Sequence, residues 1–470
     1  MKTMKLTLPL FVALAYAPTH ALAVPLLSGD LNKVTVFART YFEAGQNTQV
    51  FGSVLSGDVA TTGAGSAIHG FFESTGAANI GASIVGGSQT TVSVSGDVKS
   101  GDLVTTGDGA IVTGNVTASG AANIGANAKV AGNVVSGGVG TAGANAVIGG
   151  DFMSIGANTI GANAKVGGNF SSGGLASTGA NSTVNGHVLA GGAASIGASS
   201  KVGGMVQAVN ATGLQTQLTA SPVPSNMTAT VTKDVIAHVA TDAEILRLAQ
   251  ASLTSMANST APVMGYDTLN TVITSYLPAT MTVDTTLYAG VYSAPSWSTT
   301  AGTTLKLDAQ GLDNQSWVFN FASILAFGGA TNVVLVNAGE SNSVVWNVNN
   351  GALEGYASLG DGAHVIGTII GNTYVSVGAN AHVLDVGTSC GGVYSQTSYV
   401  STGANSIIGG IGCTGGNLDL NLDGTMTIAS VEPEPQPEPQ PQPVPEPASY
   451  SMLLAGLGLM GFMLRRRKTS

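Results

Sequence analysis

The heptapeptide IGANAKV at Ile124–Val130 recurs unchanged at Ile160–Val166, and variants of it punctuate the first half of the 470-residue chain. TGDGAIV begins at 106, AGANAVI at 142, TGANSTV at 178 and IGASSKV at 196, so that successive copies keep a fixed step of eighteen positions. TGAGSAI at 62 and IGASIV at 80 keep the same step, and the step from 80 to 106 is longer by eight. A 36-residue period overlies this one: the sequence from Ala128 to Gly150 resembles that from Ala164 to Gly186.

A period of eighteen excludes most repeat architectures. Helical repeats need about 33 residues or more, and glycine-rich sequence makes poor helix. Eighteen extended residues span roughly 59 Å, which closes as one triangular turn of three short strands, and turns stack at ~4.8 Å. The expected fold is all-β: a parallel triangular β-solenoid with 18-residue coils over residues 40–210, with one flanking α-helix. A narrow core takes Ala, Val and Ile, and tight corners take Gly or Asn, which tolerate positive φ. The composition fits, with 66 glycines and only 9% charged residues, against roughly 25% in an ordinary domain.

Strand alternation then assigns directions. Ile124, Ala126, Ala128 and Val130 point inward; Asn127 and Lys129 point outward. Stacking makes ladders of Asn127, Asn145, Asn163, Asn181 and Ser199, and of Lys129, Val147, Lys165, Thr183 and Lys201. G-A-N reads either as a corner turn with a left-handed Asn or as a ladder presented to a ligand. The lysines read as solvated residues that limit aggregation.

Near residue 211 the repeat stops. Thr241-Asp242-Ala243-Glu244 reads as a capping box. Ile245, Leu248, Ala249, Leu253 and Met256 form an apolar stripe. An amphipathic helix is expected over 242–258, packed along the solenoid flank with Leu248 and Leu253 buried. LGDGAHV at Leu359 and VGANAHV at Val377 are again one repeat apart, and TGANSII follows at Thr402, so the solenoid resumes after the helix.

The ends read as targeting segments. Lys2, Lys5, an apolar run and Ala21-Leu22-Ala23 make a secretory signal cleaved after Ala23. At the other end Val444-Pro445-Glu446-Pro447, the apolar run Met452–Leu464 and Arg465-Arg466-Arg467-Lys468 occur in order. The run is shorter than the roughly 20 residues of a comfortable span, and the basic cluster places the tail on the cytoplasmic side. Together these elements resemble the PEP-CTERM sorting signal. The resemblance implies processing by an exosortase, a transient inner-membrane anchor, and then the cell surface or extracellular matrix. The expected organisation is a signal peptide at 1–23, N-terminal repeats at 24–220, a helix with further coils at 221–415, a Pro-rich linker at 416–447 and a sorting anchor at 448–470.

A second resemblance lies in the C-terminal half. LYAGVY (Leu287–Tyr292), LKLDAQG (Leu305–Gly311), WVFNF (Trp317–Phe321), NVVLVNAG (Asn332–Gly339), SVVWNV (Ser343–Val348) and GTII (Gly367–Ile370) follow in order. This run, over about 230–415, resembles the bacterial and fungal ice-binding family, a β-solenoid with a flanking helix; Ala289 stands where the family usually has proline. The N-terminal repeats resemble bactofilin-type polymerising solenoids as well. The ice-binding resemblance implies a flat, rigid, uncharged face that orders water through hydroxyl, amide and methyl groups. The T-G-A-N elements make Thr178, Asn181, Thr402 and Asn405 candidates for that face, with Asn127, Asn145 and Asn163 on the Asn ladder.

Other classes find little support. Net charge is −10, with no basic cluster outside the C-terminus, so nucleic acid is not an expected partner. No nucleophile elbow, HExxH or P-loop is present, and the repeats lack arginine, so neither an enzyme nor a cofactor is expected. His364 and His382 stand one coil apart in the slot that lysine takes elsewhere. Trp297, Trp317 and Trp346 read as packing residues or as a sugar platform. Cys390 and Cys413 lack metal-site spacing, and export permits one disulfide between them. Two readings follow: an exported ice-binding protein whose partner is ice or ordered water, or an envelope or matrix scaffold associated with exopolysaccharide.

Overall fold

A computed structural model describes residues 24–82 except 26 and 28, 91–208, 227–258, 274–415 except 340, 350–354, 388 and 414, and 419–420. Both targeting segments, the linker at 416–447 apart from Asp419 and Leu420, and most of the eight-residue offset fall outside these residues. The described strands coil into a three-faced stack, and all pair in parallel except the short Val24–Pro25 and Asp419–Leu420 pair. The repeat sets the register: Lys129 faces Val147, which faces Lys165, then Thr183 and Lys201, each one repeat further on.

Corners follow from backbone sterics. Asn127, Asn145, Asn163 and Asn181 adopt φ of 56 to 59°, and Ser199 follows at 58°. This left-handed region costs most side chains roughly 1–2 kcal/mol and costs Asn less. The preceding glycine is required for a different reason. A Cβ on Gly161 would lie 2.6 Å from the Ala144 amide nitrogen of the coil beneath. Between corners Ile124, Ala128 and Val130 are buried, while Asn127 and Lys129 are exposed.

The path of the chain is less regular than its repeat. The first coil, with strands Val34–Ala38, Phe42–Ala44 and Gln49–Val50, sits in the middle of the stack. From it the chain advances coil by coil to Ala194–Ser195, Lys201–Val202 and Val206–Ala208 at one end. After the helix it re-enters at the opposite end, with Thr285–Tyr288, and advances back toward the middle. The coil at 392–408 then stacks under the first coil through Val36–Val393, Phe42–Val400 and Gln49–Ile407. Three strand pairs, one on each face, thus join the first coil to the coil at 392–408.

Coils in the second half are wider, apart from the step from His364 to His382, which keeps the repeat: the register steps from Thr285 to Leu305 and from Leu305 to Val333 both exceed the repeat of the first half. Aromatic rings fill the extra width. Trp297, Trp317 and Trp346 are all buried, and the Phe319 and Trp346 rings stack at 4.0 Å. The three tryptophans are packing residues. Cys390 and Cys413 are joined by a disulfide, with Cα atoms 5.7 Å apart.

The helix α1 spans Met227–Asn258, 32 residues, so it begins well before the expected start at 242. Thr241 is therefore no N-cap: its hydroxyl donates to the Ala237 carbonyl at 2.9 Å, one turn back. Leu253 is fully buried as expected, whereas Leu248 is half-buried and Leu246 takes its place in the interface. α1 lies along the solenoid axis. Thr232 donates to Ser119 Oγ at 2.7 Å near one end, and Asn347 Nδ2 donates to Thr254 Oγ1 at 3.3 Å near the other. Between Thr232 and Thr254 lie roughly six turns, about 33 Å of helix. The strands beneath, from Val116–Ala118 to Ser343–Val348, are seven coil steps apart, about 34 Å. Leu246, Ala249, Leu253 and Met256 pack with the outward ladder Val345, Ile370, Tyr394, Phe37 and Leu55. Nearer its start, His238 Nδ1 sits 2.9 Å from Glu73, which also holds Lys99 Nζ at 2.9 Å.

Candidate functional site

The three faces of the solenoid offer different surfaces. One is covered along its middle by α1. A second is basic: Lys129, Lys165 and Lys201 share a ladder with His364 and His382. The two imidazoles are 4.3 Å apart and tilted edge to face; burial, then the neighbouring His364, hold His382 below the usual histidine range. Among the described residues no group of three or more His, Cys, Asp or Glu could hold a metal ion.

The third face is open, and its strands turn small polar side chains outward between two buried neighbours. From one end the central row reads Thr280, Ser298, Ala326, Ser358, Ser376 and Ser401. It continues through Glu43, Thr61, Asn79, Thr105 and Asn123. Thr141, Thr159, Ser177 and Ser195 complete it. Glu43 is the one charge in the row. The rungs repeat at ~4.8 Å, and several bond directly to the next. Thr141 Oγ1 donates to Asn123 Oδ1 at 2.8 Å, Thr280 and Ser298 hydroxyls lie 3.1 Å apart, and Ser401 donates to Ser376 at 3.4 Å.

A second row borders the first. Where the second half meets the first coil it consists of Tyr356, Tyr374, Tyr399 and Tyr41, stacked with centroids 4.7, 5.1 and 4.6 Å apart. Burial, then the neighbouring tyrosines, push the Tyr41 and Tyr374 phenols up. In the repeats the same row alternates Leu103, Ala121, Val139, Ala157 and Leu175, the side-chain form of the 36-residue period.

The threonines expected on this face are elsewhere. Thr178 continues the inward ladder of Ile124, Ala142 and Ile160 and is 4% exposed. Its Oγ1 accepts the Gly197 N–H at 3.0 Å. Thr402, 7% exposed, accepts the Gly45 N–H at 3.2 Å and lies 3.0 Å from Thr48 Oγ1. Both are core residues whose hydroxyls satisfy backbone donors of the next coil. Asn127, Asn145, Asn163, Asn181 and Asn405 are exposed, at the corner between the open and basic faces. Their amides run along that corner, with Asn145 Nδ2 on Asn127 Oδ1 and Asn405 Nδ2 on Asn380 Oδ1, both at 3.1 Å. The row on the open face was available to inspection: the residue just before each repeat copy is Thr61, Asn79, Thr105, Asn123, Thr141, Thr159, Ser177 or Ser195. An alignment begun one residue later misses it.

Residues 207–408 match the family model described as Ice-binding-like. Those residues are similar to the ice-binding-like family over somewhat less than half of the chain. The matched span runs from the last repeat strand through α1 and all the wide coils to Ile408. Residues 443–468 match the PEP-CTERM protein-sorting motif, which targets the chain for export and the cell surface. No curated protein sequence matches. Solved structures align weakly. An ice-binding protein from the Antarctic ascomycete Antarctomyces psychrotrophicus aligns at 17% identity and TM-score 0.28, over 51% of this chain and 92% of its own. An ice-binding protein domain of Shewanella frigidimarina gives 17% and 0.28, over 53% and 92%. An ice-binding protein from an Antarctic Flavobacteriaceae bacterium gives 16% and 0.29, over 82% and 98%.

Proposed function

We propose that this chain is an exported ice-binding protein whose open face is the ice-facing surface. The observation that carries the reading is the central row itself. Fifteen outward positions in register, fourteen of them uncharged, stand on a backbone held by strand pairing on both sides except at the two end rungs. Such a row holds hydroxyls, amides and methyls in fixed places, so that water ordered over it loses little further freedom. The basic face would place hydrated ammonium groups in the same layer, and the helix face is occupied by α1. Export by way of the sorting motif, with exosortase cleavage and a transient inner-membrane anchor, brings the face to where external ice forms. No bond is made or broken; the work is surface matching.

The test is a substitution on each face, read by ice affinity and thermal hysteresis. Thr141→Tyr and Ser376→Tyr raise a ring on the open row and abolish or strongly reduce both. Thr183→Tyr, on the basic face between Lys165 and Lys201, leaves them unchanged. All three positions are half-buried on an outward row, and the melting temperature of each variant, measured alongside, separates a lost surface from a lost fold. Retention of ice affinity by both open-face variants would sink the assignment of the face. A wild-type protein without ice affinity would sink the function.

A further inference from the structure

The terminal coil of the repeats, residues 191–208, has a partner on one side only. Its strands Ala194–Ser195, Lys201–Val202 and Val206–Ala208 each pair with the coil beneath, and no described strand pairs on the outer side. Its inward residues show the consequence. Val184, one coil in, is 1% exposed; Val202 in the same ladder is half-exposed, and Ile196 is 39% exposed. In the coil beneath, the N–H groups of Ala176, Asn181 and Val188 donate to Ala193, Ala198 and Met205 carbonyls at 2.8 to 3.0 Å. The equivalent donors of the last coil, Ala194, Ser199 and Val206, face outward with no coil beyond them among the described residues. A side-chain ladder also ends here. Asn169 Oδ1 accepts the His187 N–H at 2.9 Å, His187 Nδ1 accepts the Met205 N–H at 2.9 Å, and the Met205 side chain, 56% exposed, carries no nitrogen or oxygen acceptor for a next coil.

Solenoids normally close their ends with a polar cap, because an open edge is a template for pairing. We infer that this end is a self-association surface, and that its occupant is the same end of a second copy of the chain, related by a two-fold axis. Three observations favour that occupant. The chain already closes one pair of coil edges internally, where the coil at 392–408 meets the coil at 34–50 through a parallel strand pair on each face, so a coil edge of this stack can be capped by another coil's edge strands. The open end is a coil of the regular repeat, whereas the opposite end of the stack begins with the wider steps from Thr285 to Leu305 and on to Val333, so like ends match in cross-section and unlike ends do not. Lys201 is the one charge in residues 191–208 and projects sideways from the basic face, so two copies meet without opposed charge. A two-fold contact pairs the edge strands antiparallel and closes after two copies.

Sedimentation velocity of the exported full chain over a hundredfold range of concentration tests this, with the frictional ratio reporting shape. A dimer is expected, more elongated than the monomer. Met205→Lys and Ile196→Lys should each raise its dissociation constant by more than about tenfold. Met205→Lys keeps the monomer's melting temperature, because that side chain is exposed, and so separates a lost contact from a lost fold. A monomer at every concentration overturns the inference. So do open-ended filaments, a compact side-by-side dimer, or a dimer indifferent to both substitutions.

Discussion

At the scale of single residues, the repeat is a solution to crowding. The G-A-N element places a glycine where the coil beneath leaves no room for a Cβ and an asparagine where φ must be positive. The two roles separate by mutation. Asn145→Ala keeps the chain's shape but puts a Cβ-bearing residue with no local polar group at φ 59° and breaks the amide bond to Asn127. It should cost about 1 kcal/mol in denaturant unfolding. Asn145→Gly relieves the φ penalty and should stay within about 0.5 kcal/mol of wild type. Equal losses in the two variants would mean that the amide ladder, not the backbone angle, fixes the corner. The same scale explains why Thr178 and Thr402 could be mistaken for surface residues. Threonine fits an inward slot otherwise held by Ile or Ala because its hydroxyl finds a backbone N–H and its methyl finds the core.

At the scale of elements, α1 is held by apolar packing over its second half and by a charged cluster over its first. Burial alone would push the Glu73 carboxyl up, but hydrogen bonds from His238 and Lys99, reinforced by their charges, outweigh it and hold it below the usual range. Burial likewise disfavours the Lys99 charge, and the Glu73 hydrogen bond and charge, with Asp97 and Asp234, outweigh it and raise it. Asp242, fully buried, lies 3.5 Å from His238 Nε2 on the other side. A depressed carboxyl stabilises the fold above the ordinary carboxylate range, and that contribution is lost as pH falls through the range toward the lower folded value. The raised lysine gives stability that is lost only as pH climbs past the lysine range. The melting temperature should therefore fall on acidification below about pH 5, and Glu73→Gln should flatten that acid limb while costing about 1 kcal/mol at neutral pH, since Lys99 keeps contact with solvent. An acid limb of undiminished steepness in Glu73→Gln would place the titration elsewhere. The coils were legible in the sequence because their information is local: spacing, alternation and corner residues all lie within one repeat. The first half of α1 was not, because Val231, Thr232, Val235 and Val239 favour helix weakly; tertiary packing and the Thr232 and His238 contacts decide it. The face that carries the outward row was legible residue by residue, whereas which face the helix leaves open depends on contacts between α1 and coils far away in sequence.

At the scale of the whole molecule, the first coil is a joint. Residues 34–50 pair with the repeats on one side, through Val36–Val54 and Gln49–Ala67, and with the wide coils on the other, through Val36–Val393 and Gln49–Ile407. Tyr394, fully buried, donates to the Val34 carbonyl at 2.6 Å across the same joint. No periodicity could have announced this, since nothing in residues 34–50 says that their lower edge waits for the coil at 392–408. In stacked proteins cooperativity passes only between neighbouring coils, so this one coil decides whether the repeats and the wide coils unfold together. α1 bridges the joint from outside, but its packing on Phe37 and Leu55 depends on the same coil. Wild type should give a single calorimetric transition. Val36 is fully buried at the joint, and Val36→Asp places a charge there with no partner, a costly change. That variant should show two transitions, with the aromatic-filled coils melting separately from the repeats. If Val36→Asp instead lowers one undivided transition, the joint is not the boundary of cooperativity, and coupling must run through α1.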